Sequence, residues 1–226
     1  EQAHIASALV FELSKVEHLH VSEAIVGHLR HIEEDLAKRV AAGLGLDKIP
    51  DAPMAAVPVK EMAPSPALQI IGKMQYTLMG RAVGILISDG SDGPLINKIK
   101  KAATDAGATV KIIAPKKGGA KLADGSKLAA CGQLAGTPSV LFDAVAVILS
   151  DEGAKTLLKE GAAIDFVRDA YGHLKAIAVD KGGRTLLNSA NVGQDAGVVD
   201  ANDNDAFITA AKTRQWDREK SVRTLA

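Results

Sequence analysis

The chain has 226 residues, of which 47% are hydrophobic and 24% charged, as is typical of a globular protein of one large or two small domains. Its 27 Lys and Arg residues balance 27 Asp and Glu residues, so no net charge draws it to nucleic acid or to an anionic membrane. Aromatic residues make up only 3%, which leaves few platforms on which bases or sugars could stack. We therefore predict a soluble protein with no nucleic-acid partner and no membrane partner.

The single cysteine, Cys131, excludes an internal disulfide and a zinc site built on paired thiolates. We predict that Cys131 is a small buried hydrophobic residue and not a reactive thiol. No run of 18 apolar residues is present, and the opening Glu-Gln-Ala-His lacks the basic region of a signal peptide. We therefore predict no targeting segment, and the sequence leaves the cellular compartment open.

Residues 1 to 42 form the first predicted segment, and it is helical. A helix over Ile5 to Leu13 precedes a longer one that Ser22 caps and Gly43 ends. The longer helix carries an apolar residue every three or four positions, at Ile25, Leu29, Ile32, Leu36 and Val40. Two helices are too few to bury this stripe, so we expect the segment to lie against another surface.

Five of the six histidines fall in this helical segment. His28 and His31 lie three residues apart on one helix face, a spacing at which two imidazoles can share a metal ion. Acidic residues lie nearby at Glu23, Glu34 and Asp35, but none completes a convincing ligand set. We therefore predict no metal site and expect these histidines on a polar or partner-facing surface.

Residues 43 to 79 contain five of the eight prolines, at Pro50, Pro53, Pro58, Pro64 and Pro66. Proline at this density blocks helices and central strands, because it lacks the backbone N–H and fixes φ. We predict an extended linker that can span a large surface.

Residues 80 to 226 alternate short apolar runs with helical stretches, a pattern typical of a doubly wound parallel α/β sheet. The predicted strands are Arg81 to Ser88, Thr109 to Ala114, Phe142 to Leu149 and Ala176 to Val179. The predicted helices are Leu95 to Asp105, Asp151 to Glu160, Ala163 to Tyr171 and a closing helix over Asn202 to Gln215. A weakly alternating stretch over Asp124 to Thr137 predicts a small antiparallel excursion.

In an open parallel sheet, ligands bind at the carboxyl ends of the strands. The loops to inspect are therefore Asp89 to Pro94 and Asp180 to Gly183, both rich in glycine. Neither loop has the glycine spacing that aims several N–H groups at a phosphate, so we predict no nucleotide site. The basic loop Lys116 to Gly119 could hold an anion, but a solvated turn is the simpler interpretation.

The turn at Asp180 has the form of a nucleophile elbow, in which a tight strand-to-helix turn presents one side chain above the sheet. A nucleophile there would be Cys or Ser, whereas a carboxylate attacks acyl groups poorly although it serves in some enzymes. The alternative is that Asp180 caps the following helix, where its charge meets the positive end of the dipole.

A further hypothesis places a cation or small-molecule site in a crevice between Asp92 and Asp180, where two acidic groups could shift one another's pKa. It requires the two carboxylates to meet in a pocket. It fails if they are far apart or bound to helix N-termini.

Four segments resemble the C-terminal part of the large-subunit haem catalases. They are EAIVGHLRHIEEDLAKRVAAGLGL (23 to 46), APSPALQIIGK (63 to 73), GRAVGILISDGSDGPLINKIKKAATDAGATVKIIAPKKGG (80 to 119) and TPSVLFDAVAVILSDEGAKTL (137 to 157). The resemblance implies that residues 1 to 42 are the last helices of a catalytic domain. Residues 43 to 79 would be a wrapping linker, and residues 80 to 226 a flavodoxin-like domain similar to the PfpI, or class I glutamine amidotransferase-like, superfamily.

The resemblance also implies what the chain lacks. No segment matches the distal His and Asn motifs of catalases. The haem-ligating tyrosine of catalases follows an arginine by four residues, whereas Gly72 precedes Tyr76 and Val167 precedes Tyr171. The parent catalase would bind haem and convert hydrogen peroxide to water and oxygen, but this chain is expected to bind no cofactor and no metal.

PfpI-like enzymes carry a reactive cysteine and then a histidine at the elbow, with a glutamate in the first loop. By resemblance, Asp180 stands at the cysteine position, Lys181 at the histidine position and Asp92 at the glutamate position. The nucleophile would be lost and the elbow vestigial, so no catalytic residue and no enzyme activity is predicted for this chain.

The sequence thus predicts a non-catalytic module that stabilises the parent catalase tetramer. Its partners would be the catalytic domain and neighbouring subunits. A second hypothesis is a chaperone-like activity, in which apolar patches of the isolated domain hold unfolding client proteins.

Overall fold

The chain folds as two units, each with its own hydrophobic core. In the computed structural model the described residues are 2–58, 60–69 and 72–222. One unit, here called the helical unit, is Glu1–Lys73 with Glu219–Ala226, and the other, the α/β unit, is Met74–Arg218. The predicted segments also include Glu1, Val59, Ile70, Ile71 and residues 223–226, which lie outside the described residues.

The helical unit contains α1 (Gln2–Leu13), α2 (Leu19–Leu29), α3 (Glu34–Gly43) and the short α9 (Glu219–Val222). Its buried core is small and consists of Ala6, Val26, Leu29, Ala37, Val40 and Ala41. Large apolar side chains stay exposed on α1, on α2 and just after α2, at Ile5, Phe11, Leu19, Val21, Ile25 and Ile32. Part of the apolar surface of this unit therefore has no partner within the described part of the chain.

The predicted single helix from Ser22 to Gly43 is wrong, because the chain breaks between α2 and α3. Ser22 is not a cap but a buried residue inside α2. The side chains at the break bind carbonyl oxygens of the proline-rich segment: Arg30 Nη1 donates to the Pro50 oxygen at 3.0 Å, and His31 Nε2 lies 2.7 Å from the Pro53 oxygen. These long-range hydrogen bonds hold the chain in a turn at residues 30–33. The spacing of apolar residues along the sequence carries no information about them.

Residues 44–81 contain no helix and no strand wherever the structure describes them. This absence of regular structure follows from the prolines, which cannot donate a backbone hydrogen bond. The segment leads from the end of α3 to the first strand of the sheet.

The α/β unit is built on a sheet of six parallel strands in the order β5-β2-β1-β6-β7-β8. The strands are β1 (Ala82–Ile87), β2 (Thr109–Ala114), β5 (Gly132–Gln133), β6 (Ala144–Ile148), β7 (Ile177–Val179) and β8 (Val198–Asp200). Without β5 at the edge, this is the strand order of flavodoxin-like folds, so the predicted fold class is confirmed. The four predicted strands are present, whereas the two- and three-residue strands β5 and β8 were not predicted.

The predicted antiparallel excursion over Asp124 to Thr137 is only partly correct. The antiparallel pair is a hairpin of β3 (Ala120–Lys121) and β4 (Lys127–Leu128), so it begins before the predicted stretch. The second half of that stretch instead joins the main sheet as β5, parallel to β2.

Helices cover both faces of the sheet. They are α4 (Gly93–Asp105), α5 (Asp151–Leu157), α6 (Gly161–Gly172), α7 (Lys181–Ser189) and α8 (Asn204–Ala211). Alternate strand residues face opposite layers, so Ile85 and Ile87 pack with α4 and α8 in one core while Leu86 packs in the core of α5, α6 and α7. Burial on both faces explains why β1 and β6 read as continuous apolar runs.

The closing helix is shorter than predicted, since α8 ends at Ala211 and the chain continues to Arg218 without α-helix. Arg218 fixes this end of the unit. Its side chain is fully buried and bidentate on Asp195, with Nε to Oδ2 at 2.6 Å and Nη2 to Oδ1 at 2.8 Å. Although burial alone would raise the pKa of Asp195, the bonds and the charge of Arg218 outweigh it and lower that pKa.

Candidate functional site

The carboxyl ends of β1, β6 and β7 meet at one edge of the sheet, here called the carboxyl edge. It consists of residues 88–92 after β1, residues 149–151 after β6, and Asp180 with Lys181 after β7. All three predicted site residues, Asp92, Asp180 and Lys181, lie on this edge.

Asp180 is the N-cap of α7. Its Oδ1 accepts a hydrogen bond from the Gly183 N–H at 2.7 Å, and its Oδ2 accepts one from the Leu149 N–H at 2.9 Å. The carboxylate therefore joins the start of α7 to the end of β6. The capping alternative predicted from the sequence is the one the structure bears out.

The backbone at Asp180 is relaxed, with φ −87° and ψ −174°. A nucleophile elbow holds its reactive residue in a strained turn, so the elbow geometry expected at this position is absent. Burial raises the pKa of the Asp180 carboxyl, the nearby charge of Asp92 adds to the rise, and the bonds from Gly183 and Leu149 oppose it. This raised pKa follows from the packing of the cap and needs no reacting group to explain it.

Asp92 is the N-cap of α4, and its Oδ1 accepts from the Leu95 N–H at 2.9 Å. The neighbouring Asp89 accepts from the Lys121 N–H at 2.8 Å through Oδ1. A second hydrogen bond joins the same two segments, from the Gly90 N–H to the Lys121 oxygen at 2.7 Å. The β3–β4 hairpin thus fastens onto the loop after β1.

Two serines that the sequence reasoning missed complete the edge. Ser91 is fully buried, and its hydroxyl accepts from the Ser88 N–H at 2.9 Å while lying 2.6 Å from the Ile148 oxygen. Ser150 caps α5 through the Gly153 N–H at 2.9 Å and donates to the Asp89 oxygen at 2.7 Å. Their positions in the sequence could have identified them, because each serine follows an apolar strand by a few residues, where cap and turn residues are common.

Lys181 lies on the surface. Its side chain is 89% exposed and its Nζ lies 3.3 Å from Asp151 Oδ2. Exposed ion pairs of this kind contribute little to stability. Lys181 therefore contacts neither Asp180 nor Asp92 through any hydrogen bond or ion pair of the described residues.

The two glycines after Lys181 allow backbones to approach closely. A Cβ at Gly182 would lie 2.0 Å from the Leu149 oxygen, and one at Gly183 would lie 2.3 Å from the Val147 oxygen. Since these neighbours are backbone atoms, neither position can hold a side chain. The glycine-rich character of this loop thus serves the packing of α7 on β6.

The crevice hypothesis required the carboxylates of Asp92 and Asp180 to meet in a pocket. Each is instead bound to a helix N-terminus. Among the described residues, no three His, Cys, Asp or Glu side chains come close enough to hold a metal ion. By the stated criterion, the geometry gives the crevice hypothesis no support.

Cys131 is exposed, so its predicted burial is wrong. It lies beside the two-residue edge strand β5, where only one neighbouring strand covers it, and its Sγ is 3.5 Å from the Ile112 N–H. Lys117, from the basic loop, donates to the Cys131 carbonyl oxygen. The loop over Lys116 to Gly119 is thus a turn tied to the sheet edge, and Lys117 is engaged in it.

None of the described helices is long and apolar enough to cross a bilayer.

A family model for the C-terminal domain found in long catalases matches residues 79–218, and one described as catalase-related immune-responsive matches residues 1–44. Among curated proteins, the chain is 42% identical to catalase C of Rhizobium meliloti (strain 1021), over 99% of this chain and 33% of the relative. It is 34% identical to catalase HPII of Pseudomonas aeruginosa, over 100% of this chain and 32% of the relative. It is 33% identical to catalase-2 of Bacillus subtilis (strain 168), over 96% of this chain and 32% of the relative. The chain therefore spans about a third of the length of these relatives.

Proposed function

Because the chain belongs to the family of C-terminal domains found in long catalases, we propose that it is a structural, non-catalytic part of such an enzyme. The parent protein would convert hydrogen peroxide to water and oxygen. This chain would raise the stability of the parent assembly by packing on its catalytic domain and on neighbouring subunits.

The observation that supports this proposal best is the hydrogen bonding of the carboxylates at the carboxyl edge. By the resemblance, Asp180 would stand where PfpI-like enzymes have a nucleophile, and both of its carboxylate oxygens accept hydrogen bonds from backbone N–H groups. Asp92 is bound to the start of α4 in the same way. A group held by two hydrogen bonds in a relaxed backbone is suited to fixing the positions of α7 and β6. We infer that Asp92, Asp180 and Lys181 are vestigial elbow positions with structural roles.

The residues present also do not fit haem. Of the two tyrosines, Tyr76 is 69% exposed on an irregular segment. The ring of Tyr171 is covered by the Arg218 guanidinium at 4.0 Å from its centroid. Neither phenol can serve as an enclosed axial ligand, so haem would belong to the rest of the parent catalase.

The experiment is the Asp180→Ala substitution in the parent catalase. It removes the cap of α7 and leaves the Leu149 N–H without its partner, so the α/β unit should lose about 2–4 kcal/mol of unfolding free energy. Peroxide turnover per haem at room temperature should stay within about two-fold of the wild type, since no interaction with the reacting atoms is removed.

The matched control is Lys181→Ala, the neighbouring residue with an exposed side chain, which should change neither stability nor turnover. Asp180→Asn, which keeps one acceptor oxygen, should fall between wild type and Asp180→Ala in stability. A folded Asp180→Ala enzyme with a more than ten-fold loss of turnover would refute the non-catalytic role.

A chaperone-like activity is a second candidate function, and the exposed apolar side chains of α1 and α2 favour it. They include Ile5, Phe11 and Leu19, at 52%, 62% and 60% exposed. Apolar patches of this kind bind exposed apolar segments of other chains. Light scattering of a heated client protein tests it: the candidate predicts suppressed aggregation at stoichiometric amounts, and unchanged scattering rejects it.

A further inference from the structure

The amino ends of the parallel strands form the edge opposite the carboxyl edge. Of the described residues of the α/β unit, the five large hydrophobic side chains that are exposed all belong to segments at this edge. They are Tyr76 and Met79 before β1, Val140 and Leu141 before β6, and Trp216 beside the start of β7. We call these five side chains the amino-edge face.

Two of the segments that carry the amino-edge face are joined by hydrogen bonds of one arginine. Arg81, just before β1, donates through Nη2 to the Gln75 oxygen at 3.1 Å and through Nη1 to the Lys212 oxygen at 3.0 Å. Arg81 therefore connects the segment of Tyr76 to the segment of Trp216.

Two further contacts complete the connection. The Arg214 Nη1 donates to the Asp143 oxygen at 2.8 Å, which brings the segment of Trp216 next to that of Leu141. The Gln215 N–H donates to the Leu174 oxygen at 2.8 Å, which fixes Trp216 near the start of β7. The five apolar side chains thus project from one connected platform and not from scattered loops.

The exposed fractions are large, at 69% for Tyr76, 72% for Met79, 60% for Leu141 and 47% for Trp216. Single exposed apolar residues are ordinary, but a connected group that includes two aromatic rings is typical of an interaction surface. Aromatic residues and Met are also enriched in protein interfaces, whereas Lys and Glu are depleted there.

The connectivity of the chain indicates what covers this face. The curated relatives are about three times as long as this chain, and the matching family is a C-terminal domain, so most of a parent catalase precedes it. That preceding part reaches the α/β unit through Met74, two residues before Tyr76, on the same edge. The tether therefore delivers the rest of the parent to the amino edge at high effective concentration.

We propose that the amino-edge face is the surface through which the α/β unit docks on the catalytic part of the parent catalase. This inference rests on the proposed function, since it specifies the contact by which the unit would stabilise the parent. The occupant is an apolar protein surface of the parent itself, and neither a small molecule nor a second copy of this chain.

The test measures maleimide labelling of Leu141→Cys in a Cys131→Ser background, both in the parent catalase and in the 226-residue chain. The control is Lys181→Cys in the same background, because Lys181 is 89% exposed at the opposite edge. Leu141→Cys should react about ten-fold or more slowly in the parent than in the chain, since a docked side chain reacts only on local opening. Lys181→Cys should react at the same rate in both.

Equal reactivity of Leu141→Cys in parent and chain overturns the proposal, as does protection in the isolated chain that grows with protein concentration, which would identify a second copy as the occupant. Val140→Cys repeats the test if Leu141→Cys does not fold. If Leu141→Cys is unprotected while removal of the α/β unit still destabilises the parent, the docking face is wrong and the stabilising function stands.

Discussion

Lys175, two residues before the start of β7, carries a buried amine. It is 3% exposed, and its Nζ donates to the Ser139 oxygen at 2.7 Å. Its pKa is lowered to about 8, mainly by burial and also by the charge of Arg214, while the carboxylates of Asp143 and Asp169 act in the opposite direction. The folded protein therefore holds this proton less tightly than the unfolded chain does.

This lowered pKa makes the stability of the folded protein depend on pH. Between pH 8 and the ordinary lysine value of 10.5, the unfolded state binds more protons, so the unfolding free energy rises with pH. The shift corresponds to about 3 kcal/mol across that window. Lys175→Met should lack this rise, because it has no proton to bind.

Urea unfolding at pH 7.5 and pH 10 checks this expectation by the difference between the wild type and Lys175→Met. An exposed lysine, Lys159→Met, is the control and should keep the slope of the wild type. A wild-type slope that equals that of Lys175→Met would show that the amine is not held as described.

The capping role of Asp180 could be predicted from the sequence, whereas the exposure of Cys131 could not, and the physical reasons differ. A cap depends on local order, since an aspartate that follows a strand and precedes a helix has N–H groups within reach. The burial of Cys131 depends on how many strands lie beyond it. That is a long-range property, and the two-residue edge strand β5 leaves the thiol exposed.

At the scale of elements, α7 packs closely on the end of β6 at the carboxyl edge. Gly182→Ala would place a Cβ 2.0 Å from the Leu149 oxygen, so the helix must move away from the strand. We expect a loss of about 3 kcal/mol of unfolding free energy. Gly161, at the start of α6, has nothing within 4 Å of its Cβ position.

Gly161→Ala is thus a matched control with the same chemical change. It should be neutral or stabilising by about 0.5 kcal/mol, because alanine reduces the freedom of the unfolded chain. Urea unfolding of both variants measures the contrast. Equal stability of the two would mean that α7 does not pack on β6 as closely as the structure has it.

Strands with long apolar runs could be predicted from the sequence. The short strand β8 and the break between α2 and α3 could not. The apolar runs of β1 and β6 reflect burial on both faces of a parallel sheet, and any local window of sequence contains them. The strand β8, with only three residues, gives no comparable signal. The break between α2 and α3 depends on Arg30 binding the Pro50 oxygen, twenty residues away in the chain.

At the scale of the whole molecule, the two units differ in how completely they bury their apolar side chains. Among its described residues, the helical unit has a core of six buried residues beside ten exposed large apolar ones. The α/β unit has two cores, one on each face of its sheet, and its exposed large apolar side chains are confined to the amino-edge face. This distribution is expected of a chain that packs on further surfaces of a larger protein.

A unit that packs on a larger enzyme without sharing its chemistry acts on the lifetime of the folded assembly. Contacts that are absent from the transition state of unfolding slow unfolding and leave turnover unchanged. The removal of such a unit should therefore separate stability from activity.

The most direct measurement is the half-life of peroxide-decomposing activity at raised temperature, for the parent catalase with and without Met74–Arg218. We predict equal turnover per haem before heating and, without Met74–Arg218, a half-life shortened about five-fold or more, which corresponds to about 1 kcal/mol of the barrier to inactivation. Equal half-lives in the two proteins would contradict the stabilising role, and a loss of turnover in folded, haem-loaded enzyme before heating would contradict the non-catalytic one.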